Sequence, residues 1–294
     1  MAHRPPYQPG QPVAFLHIPK SAGSSLTDAL AAALTPQTAF AAGAIDRCMF
    51  GDFAFDRLQE PARRLVVFDA NAIPDVEFLA GHLSLSLISQ ASPRSQLMTV
   101  LREPASRVIS LWLYLRTLPP SFHEDWRPWS DVIRLCYLPL RDFLLSPQFA
   151  CQTDNQTLRL LLWPHPLIPD GDFIDERHDR TLLDDALSRL ERFSFVDVVE
   201  NPALSGNLAA WLGRPFVMSR NNETEAAPEA LAIPLAEDLD PVTSDRIASV
   251  SRLDAVLWST VVKQQLPDVD WQAVRAQTLV RNLSNYSRLT AASR

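Results

Sequence analysis

A lysine, a glycine and three serines lie together near the start of the chain, between an apolar segment and a helical pattern. Residues 13–18 read VAFLHI, which is typical of a buried strand, and Pro19 ends it because proline cannot donate to a sheet ladder. Residues 20–25 add a cation and small side chains, and helical spacing starts at Leu26. Backbone N–H groups and the positive helix end face such a loop. The pattern predicts an anion site, or else a tight turn whose serines cap the helix.

The order of residues in this loop differs from that of the metal-dependent phosphate loop. In G-x-x-x-x-G-K-[ST], lysine follows glycine and the last hydroxyl binds Mg²⁺. Here Lys20 precedes Gly23, and no Gly-Lys pair occurs anywhere in the chain. We therefore expect a site for a phosphate-like group with no metal.

Composition limits the class of protein and its partners. The chain has 294 residues, of which 47% are hydrophobic and 21% charged, and no apolar run approaches the length of a membrane span. Its net charge of −7 opposes non-specific binding to nucleic acid. Three widely spaced cysteines without a C-x-x-C motif fit a reducing cytoplasm rather than a zinc site or disulfide framework. Residues 1–12 lack the apolar core of a signal peptide and are expected to form a disordered leader, so we expect a cytoplasmic protein.

Apolar segments alternate with helical patterns along the rest of the chain. Strands are predicted at 65–68, 76–80, 96–101, 195–199 and, as a short last strand, 214–218. Helices are predicted after Pro104 and at 182–190, 202–212, 247–261 (one long helix) and 271–283. This alternation predicts an α/β fold with a mainly parallel sheet, in which ligands bind beyond the carboxyl ends of the strands.

Three segments do not fit the alternation. Small residues over 35–51 predict a plain connection, and residues 221–241 a surface loop. Residues 119–180 are rich in Trp, Pro and Arg and show helical patches at 132–145 and 154–162. This stretch predicts a helical insertion or lid rather than a separate domain.

A second candidate anion site lies where the strand at 96–101 meets the next helix. Arg102 is at the carboxyl end of that strand, and Ser110 follows two turns into the helix. A guanidinium group binds phosphate oxygens in bidentate fashion. The ordinary alternative is an arginine near a helix start and a serine on its polar side.

Together the motifs resemble the sulfotransferases that use 3′-phosphoadenylyl sulfate (PAPS), in particular the carbohydrate branch that includes heparan-type 2-O-sulfotransferases. HIPKSAGSS at 17–25 is similar to the family's phosphosulfate loop, and LREP with Arg107, Ser110 and Trp112 to its 3′-phosphate motif. GHLS at 81–84 is similar to the stretch that carries the family's catalytic base. Weaker similarities occur at 154–159, 199–200 and 253–258, so the resemblance spans most of 13–260.

The resemblance implies a three-layer fold like that of P-loop NTPases, with the helical insertion at 119–180. It implies one sulfotransferase domain over 13–284, followed by a flexible tail over 285–294. The implied reaction moves a sulfuryl group from PAPS to an acceptor hydroxyl, on a carbohydrate or a glycosylated small molecule, and leaves 3′,5′-adenosine bisphosphate. Animal relatives are usually anchored in the secretory pathway, so this chain is expected to be a cytoplasmic, bacterial version without a membrane span or a nucleic-acid partner.

The resemblance also implies roles for single residues. Lys20 would stabilise charge on the bridging oxygen as sulfate leaves, and His82 would act as the base. Arg102 and Ser110 would hold the 3′-phosphate, while Arg107 either adds charge or forms a structural ion pair. The groups expected around the 5′-phosphosulfate are those of Lys20, Ser21, Ala22, Gly23, Ser24, Ser25 and Leu26.

Several alternatives stay open on the sequence. His17 is expected to be a packed, hydrogen-bonded residue inside the first strand, and Asp69 and Glu77 are back-up bases. Other histidines and arginines that could touch an acceptor are His123, His165, His178, Arg63, Arg64, Arg127, Arg134 and Arg141. The other function classes are a nucleotide kinase or NTPase on a related fold, and a non-catalytic nucleotide-binding module. Sulfation of protein tyrosine is a variant of the leading hypothesis.

Overall fold

A computed structural model describes residues 4–41, 43–218 and 239–291; at residue 283 and from 285 onward it describes the backbone alone. The chain forms an α/β structure around a parallel five-stranded sheet with the order β2-β5-β1-β6-β7. A separate parallel pair joins β3 to β4. The strands are β1 (Val13–Leu16), β2 (Ala39–Phe40), β3 (Ile45–Asp46), β4 (Val66–Val67), β5 (Phe78–Gly81), β6 (Gln96–Leu101) and β7 (Phe195–Val198).

Helices connect the strands, and further helices come after β7, the last strand in the chain. The longer ones are α1 (Gly23–Leu34), α3 (Leu85–Ala91), α4 (Pro104–Arg116), α9 (Gln156–Leu162), α10 (Asp179–Leu190), α11 (Leu204–Leu212), α12 (Pro241–Val250), α13 (Arg252–Gln265) and α14 (Trp271–Ala291). The shorter ones are α2 (Glu60–Arg63), α5 (Pro120–Asp125), α6 (Trp129–Ile133), α7 (Leu140–Leu145) and α8 (Ala150–Thr153). Among the described helices, none combines the length and the apolar character that crossing a bilayer requires.

Alternate residues of the central strand face two different buried clusters. Val13 and Phe15 pack with side chains of α1 and α11, whereas Ala14 and Leu16 pack with side chains of α3, α4 and α13. Both faces of the sheet are therefore covered, as is usual for parallel sheets. The apolar side chains of α5–α9 join the cluster that contains Ala14 and Leu16. The described residues 119–180 form helices and turns without a strand.

The register of the sheet brings three strand ends together. Leu16, the last residue of β1, pairs with Gly81 on one side and with Thr99 on the other. The Thr99 hydroxyl also donates to the Leu16 carbonyl, 2.9 Å away. The residues that follow β1, β5 and β6 consequently leave the sheet at the same edge.

Most predicted strands, including the one at 65–68, and the mainly parallel sheet are confirmed. The segment at 65–68 contributes β4, which pairs with β3 outside the central sheet. Two expectations about strands were wrong. The supposed connection at 35–51 contains β2 and β3, and β2 is an edge strand of the central sheet. Two-residue strands are too short to show an alternating pattern. Residues 214–218 form no strand; Phe216 instead packs into the cluster beside α11.

The single long helix predicted over 247–261 is two helices, α12 and α13, with a break at Ser251. Tertiary hydrogen bonds compete with the helix at this point. The Val250 carbonyl accepts from the Asn155 N–H at 2.7 Å, and the Asn155 side-chain oxygen accepts from the N–H of Leu253 at 2.8 Å. Of the loop predicted at 221–241, residues 221–238 lie outside the described residues.

Candidate functional site

The loop after β1 leaves polar groups free at the start of α1. Lys20 and Ala22 have positive φ angles of 67° and 58°, and no side chain caps the helix at Ala22. The alternative in which serines cap α1 is thus wrong. Within the described part of the chain, the N–H groups of Gly23, Ser24 and Ser25 have no hydrogen-bond partner. Free N–H groups at a helix N-terminus favour an anion.

Two other residues of the predicted loop, Ser21 and Leu26, offer fewer hydrogen-bond donors to an anion than expected. The Ser21 N–H donates to the Ile18 carbonyl at 3.2 Å, so its remaining donor is the hydroxyl, which is buried and has no partner among the described residues. The Leu26 N–H donates to the Ala22 carbonyl at 3.0 Å, and its side chain is buried under the sheet. Leu26 therefore offers no group to a ligand.

Lys20 is a cation that forms no ion pair with any carboxylate among the described residues. Its Nζ lies 3.9 Å from the centroid of the Tyr114 ring, and no described carboxylate lies within ion-pair distance of it. Burial, and then the neighbouring Arg102, lower the pKa of Lys20 to about 8. Since burying an unpaired charge is costly, the ammonium group favours an anionic ligand in the loop.

Arg102 lies beside Lys20 because β6 is the neighbour of β1. Its Nη1 donates to the Lys20 carbonyl at 2.8 Å, and its Nη2 donates to the Asn282 side-chain oxygen on α14 at 3.0 Å. Burial lowers the pKa of Arg102, and the carboxylates of Glu200 and Glu103 oppose this. Ser110 is half-buried and lies one helical turn before Tyr114, the residue that Lys20 contacts.

His82 follows Gly81 at the carboxyl end of β5 and is held at both its backbone and its ring. Its N–H donates to the Ala44 carbonyl at 2.9 Å, and its Nδ1 lies 2.9 Å from the His17 carbonyl. Because a carbonyl only accepts, Nδ1 carries the proton and Nε2 presents its lone pair. Burial lowers the pKa of His82, the bond to His17 opposes this, and the Lys20 charge lowers it further. The imidazole is therefore neutral at pH 7 and has the form that a base needs.

The prediction that His17 lies inside the first strand was wrong. His17 lies just beyond β1, in the candidate site. Its ring stacks on Phe15 with centroids 5.5 Å apart, and lies 4.3 Å from the ring of His82. Burial, then His82 and then Lys20, hold the pKa of His17 well below its ordinary value. The ring also covers Gly23, where an added Cβ would lie 1.7 Å from His17 Nε2. Gly23 is thus required by a close approach, a requirement that the sequence pattern alone does not show.

Replacing Gly23 with alanine is expected to lower the free energy of unfolding by about 1–3 kcal/mol, the usual cost of overpacking. The matched control is Gly206→Ala in α11, because a Cβ at Gly206 meets nothing within 4 Å. That control should gain about 0.5–1 kcal/mol, since glycine disfavours a helix interior. Urea unfolding of both variants measures the difference. Equal stability of the two variants would contradict this placement of His17.

Arg107 makes its described side-chain hydrogen bonds with α8 and α9 rather than with Lys20, His82 or Arg102. Its Nη1 donates to the Gln156 side-chain oxygen at 2.6 Å and its Nη2 to the Gln152 carbonyl at 3.2 Å. Burial lowers its pKa to about 10, and the Asp254 carboxylate opposes this. Of the two roles considered for Arg107, the structure supports a structural one, as a tie between α4 and the α8–α9 segment.

Neither back-up base joins the site. Asp69 accepts from the Asn71 N–H at 2.8 Å and caps a short 3₁₀ turn. Glu77 precedes β5, at the opposite edge of the sheet from His82, and accepts from the Gln37 N–H at 2.7 Å. The described contacts of these two carboxylates include neither Lys20 nor His82.

The three histidines of the region 119–180 also lie apart from Lys20. His123 is buried beside Tyr137, with ring centroids 6.5 Å apart, and neither of its ring nitrogens has a partner among the described residues. His165 pairs with Asp185 at 3.4 Å, and His178 lies beside Arg177. The described hydrogen bonds, ion pairs and ring contacts of these three histidines do not include the loop after β1.

A buried polar network supports the elements that carry the site, and in the sequence it is visible only as three weakly similar segments. The Glu200 carboxylate accepts from the Glu103 N–H and from the Trp258 indole N–H, both at 3.0 Å. The Asp254 carboxylate accepts from the N–H groups of Thr157 and Leu158, each at 2.9 Å, and so caps α9. The three weakly similar segments thus meet in space, where they fix the elements that follow β6 and β7.

Comparison with known proteins adds no assignment: no protein-family model matches the chain, and no curated protein matches it. Among the described residues, no group of three or more His, Cys, Asp or Glu side chains is arranged to hold a metal ion. Functional inference therefore depends on the motifs and on the geometry of Lys20, His82 and Arg102.

Proposed function

We propose that this chain is a PAPS-dependent sulfotransferase that transfers a sulfuryl group to a hydroxyl of a carbohydrate or a glycosylated small molecule. One observation carries the proposal. At a single edge of a parallel sheet, a lysine and N–H groups that have no partner among the described residues lie beside a neutral histidine and a half-buried arginine. The proposal includes a three-layer fold like that of P-loop NTPases, and a cytoplasmic location, which the free cysteines at 48, 136 and 151 support.

The loop fits the 5′-phosphosulfate end of the donor. The N–H groups of Gly23, Ser24 and Ser25 and the Ser21 hydroxyl are donors without partners in the described part of the chain, and an anion would satisfy them. Lys20 neutralises the charge that builds on the bridging oxygen as its bond to sulfur breaks. This is electrostatic stabilisation by groups already in place.

His82 fits the acceptor side of the reaction. Its Nε2 takes the proton of the acceptor hydroxyl while that oxygen forms its bond to sulfur. The electron pair of the broken sulfur–oxygen bond stays on the phosphate, and the second product is 3′,5′-adenosine bisphosphate. The hydrogen bond from Nδ1 to the His17 carbonyl keeps the imidazole in the required tautomer.

Arg102 retains donors for a second anionic group. A guanidinium carries five N–H donors, and the Lys20 carbonyl and the Asn282 oxygen engage one each. Those that remain, with the hydroxyl of Ser110, suit the 3′-phosphate that distinguishes PAPS from ATP.

Calorimetric titration with 3′,5′-adenosine bisphosphate, compared with ATP plus Mg²⁺, tests the proposal. We expect the bisphosphate to bind and ATP with Mg²⁺ to bind at least tenfold more weakly. Arg102→Ala and Ser110→Ala should each weaken bisphosphate binding by about tenfold, the usual effect of one hydrogen bond to a charged group. The matched controls are Arg63→Ala and Ser244→Ala, because both residues are exposed and lie on other elements.

A preference for ATP with Mg²⁺ would overturn the sulfotransferase assignment and favour the kinase-like alternative. Binding of neither nucleotide would overturn both. Binding of the bisphosphate without any transfer to a panel of hydroxyl acceptors would favour the non-catalytic nucleotide-binding module.

A further inference from the structure

The C-terminal helix α14 touches the candidate site at two points two turns apart. The Arg275 Nε lies 3.2 Å from the Glu103 carboxylate, which itself caps α4. Seven residues later, the Asn282 side-chain oxygen accepts from Arg102 at 3.0 Å. Residues seven apart share one face of a helix, so this face of α14 runs past the start of α4.

The orientation of the Asn282 amide follows from chemistry. A guanidinium group only donates, so the oxygen of the amide faces Arg102 and the Nδ2 group points elsewhere. This Nδ2 is buried and has no hydrogen-bond partner among the described residues. A buried donor without an acceptor is costly, and an anion bound at Arg102 would lie within reach of the same amide.

We propose that α14 forms part of the nucleotide site and that Asn282 donates from Nδ2 to the phosphate group that Arg102 binds. The inference rests on the proposed function, in which that group is the 3′-phosphate of PAPS and of its product. Asn282 thereby adds a specificity contact from a helix that carries no recognisable motif, and it orients Arg102 through its oxygen.

Two other roles for Asn282 make different predictions. If the residue only ties α14 to the sheet edge, its loss lowers the stability of the fold and affects all nucleotides alike. If it competes with phosphate for Arg102, its removal tightens binding. A direct contact instead weakens binding only of nucleotides that carry a 3′-phosphate.

The test is calorimetric titration of Asn282→Ala and Asn282→Asp with 3′,5′-adenosine bisphosphate and with 5′-AMP, which lacks the 3′-phosphate. Asn282→Ala should weaken bisphosphate binding by about tenfold and leave 5′-AMP binding within twofold. Asn282→Asp should weaken bisphosphate binding further, because its carboxylate repels the phosphate, although it can pair with Arg102 and preserve the melting temperature. Ser284→Ala, exposed on the same helix, is the matched control and should change neither affinity.

The outcomes separate this inference from the proposed function. If the wild-type chain does not bind the bisphosphate, the proposed function fails and this inference fails with it. If the wild type binds but Asn282→Ala binds equally well, or more tightly, only the inference is overturned. Equal weakening of both nucleotides would also overturn it, since that result indicates a structural tie.

Discussion

Replacing His82 with asparagine is expected to lower acceptor-dependent turnover by about 10²–10⁴-fold, the usual contribution of a positioned general base. Asparagine retains an N–H that can donate to the His17 carbonyl, but it has no basic nitrogen in place of Nε2. The affinity for 3′,5′-adenosine bisphosphate should stay within about twofold, because the phosphate groups are assigned to Lys20, α1 and Arg102.

The measurement is the release of 3′,5′-adenosine bisphosphate from PAPS, with and without a panel of carbohydrate acceptors. His178→Asn is the matched control, because that histidine lies away from the site beside Arg177. Turnover retained in His82→Asn, with the same acceptor dependence as the wild type, would show that His82 is not the base.

The acid side of the pH profile gives a second readout for His82. Burial lowers the pKa of this imidazole below its ordinary value of 6.5, so the neutral form already predominates at pH 6.5. A base acts when deprotonated; turnover should therefore rise with pH at acidic values, with a midpoint below pH 6.5. A midpoint above pH 6.5 would contradict the desolvated position of the ring and its proximity to the Lys20 charge.

The sequence predicted the central strands because each carries its own local signal. The strand predicted at 96–101 agrees with β6 residue for residue, and β1 ends at Leu16, shortly before the turn that contains Pro19. From these strands and the parallel-sheet rule, it followed that the residues after β1, β5 and β6 would lie at one edge. This part of the candidate site needed no knowledge of tertiary contacts.

The residues that the sequence misjudged depend on partners distant in the chain. Arg107 had two possible roles until the α8–α9 segment supplied the acceptors for its guanidinium. His17 was assigned to the strand because its apolar neighbours suggest burial, whereas β1 ends one residue earlier and Gly23 leaves room for the ring. Asn282 lies 180 residues from Arg102, in a helix whose pattern shows only an apolar stripe. Local periodicity does not encode such long-range pairings.

Replacing Lys20 with alanine is expected to lower turnover by about 10²–10³-fold, the usual effect of removing one group that stabilises developing charge. It should also weaken binding of 3′,5′-adenosine bisphosphate, since the 5′-phosphate occupies the loop that loses its only full charge. Lys20→Arg should retain part of both properties, because the charge remains but its position and shape change. Lys263→Ala, the same substitution at the only other lysine of the chain, is the control and should change neither.

The dependence of bisphosphate affinity on pH tests the electrostatic part of this role. Burial and Arg102 lower the pKa of Lys20 to about 8, whereas an anion in the loop raises it again. Below pH 8 the Lys20 ammonium is charged in both the free and the bound protein, so the affinity for the bisphosphate should not depend on pH. Above pH 8 the free lysine is neutral and binding must take up a proton, so the affinity should fall by up to about tenfold per pH unit. The phosphates are fully ionised throughout this range, since their second pKa is near 6.

The test is titration of the wild type and Lys20→Arg with the bisphosphate between pH 7 and 9.5. Only the wild type should bind more weakly as the pH rises, because a guanidinium stays charged. An equal pH dependence in both proteins would show that Lys20 is not the group that titrates, and that the loop binds its anion through backbone N–H groups alone.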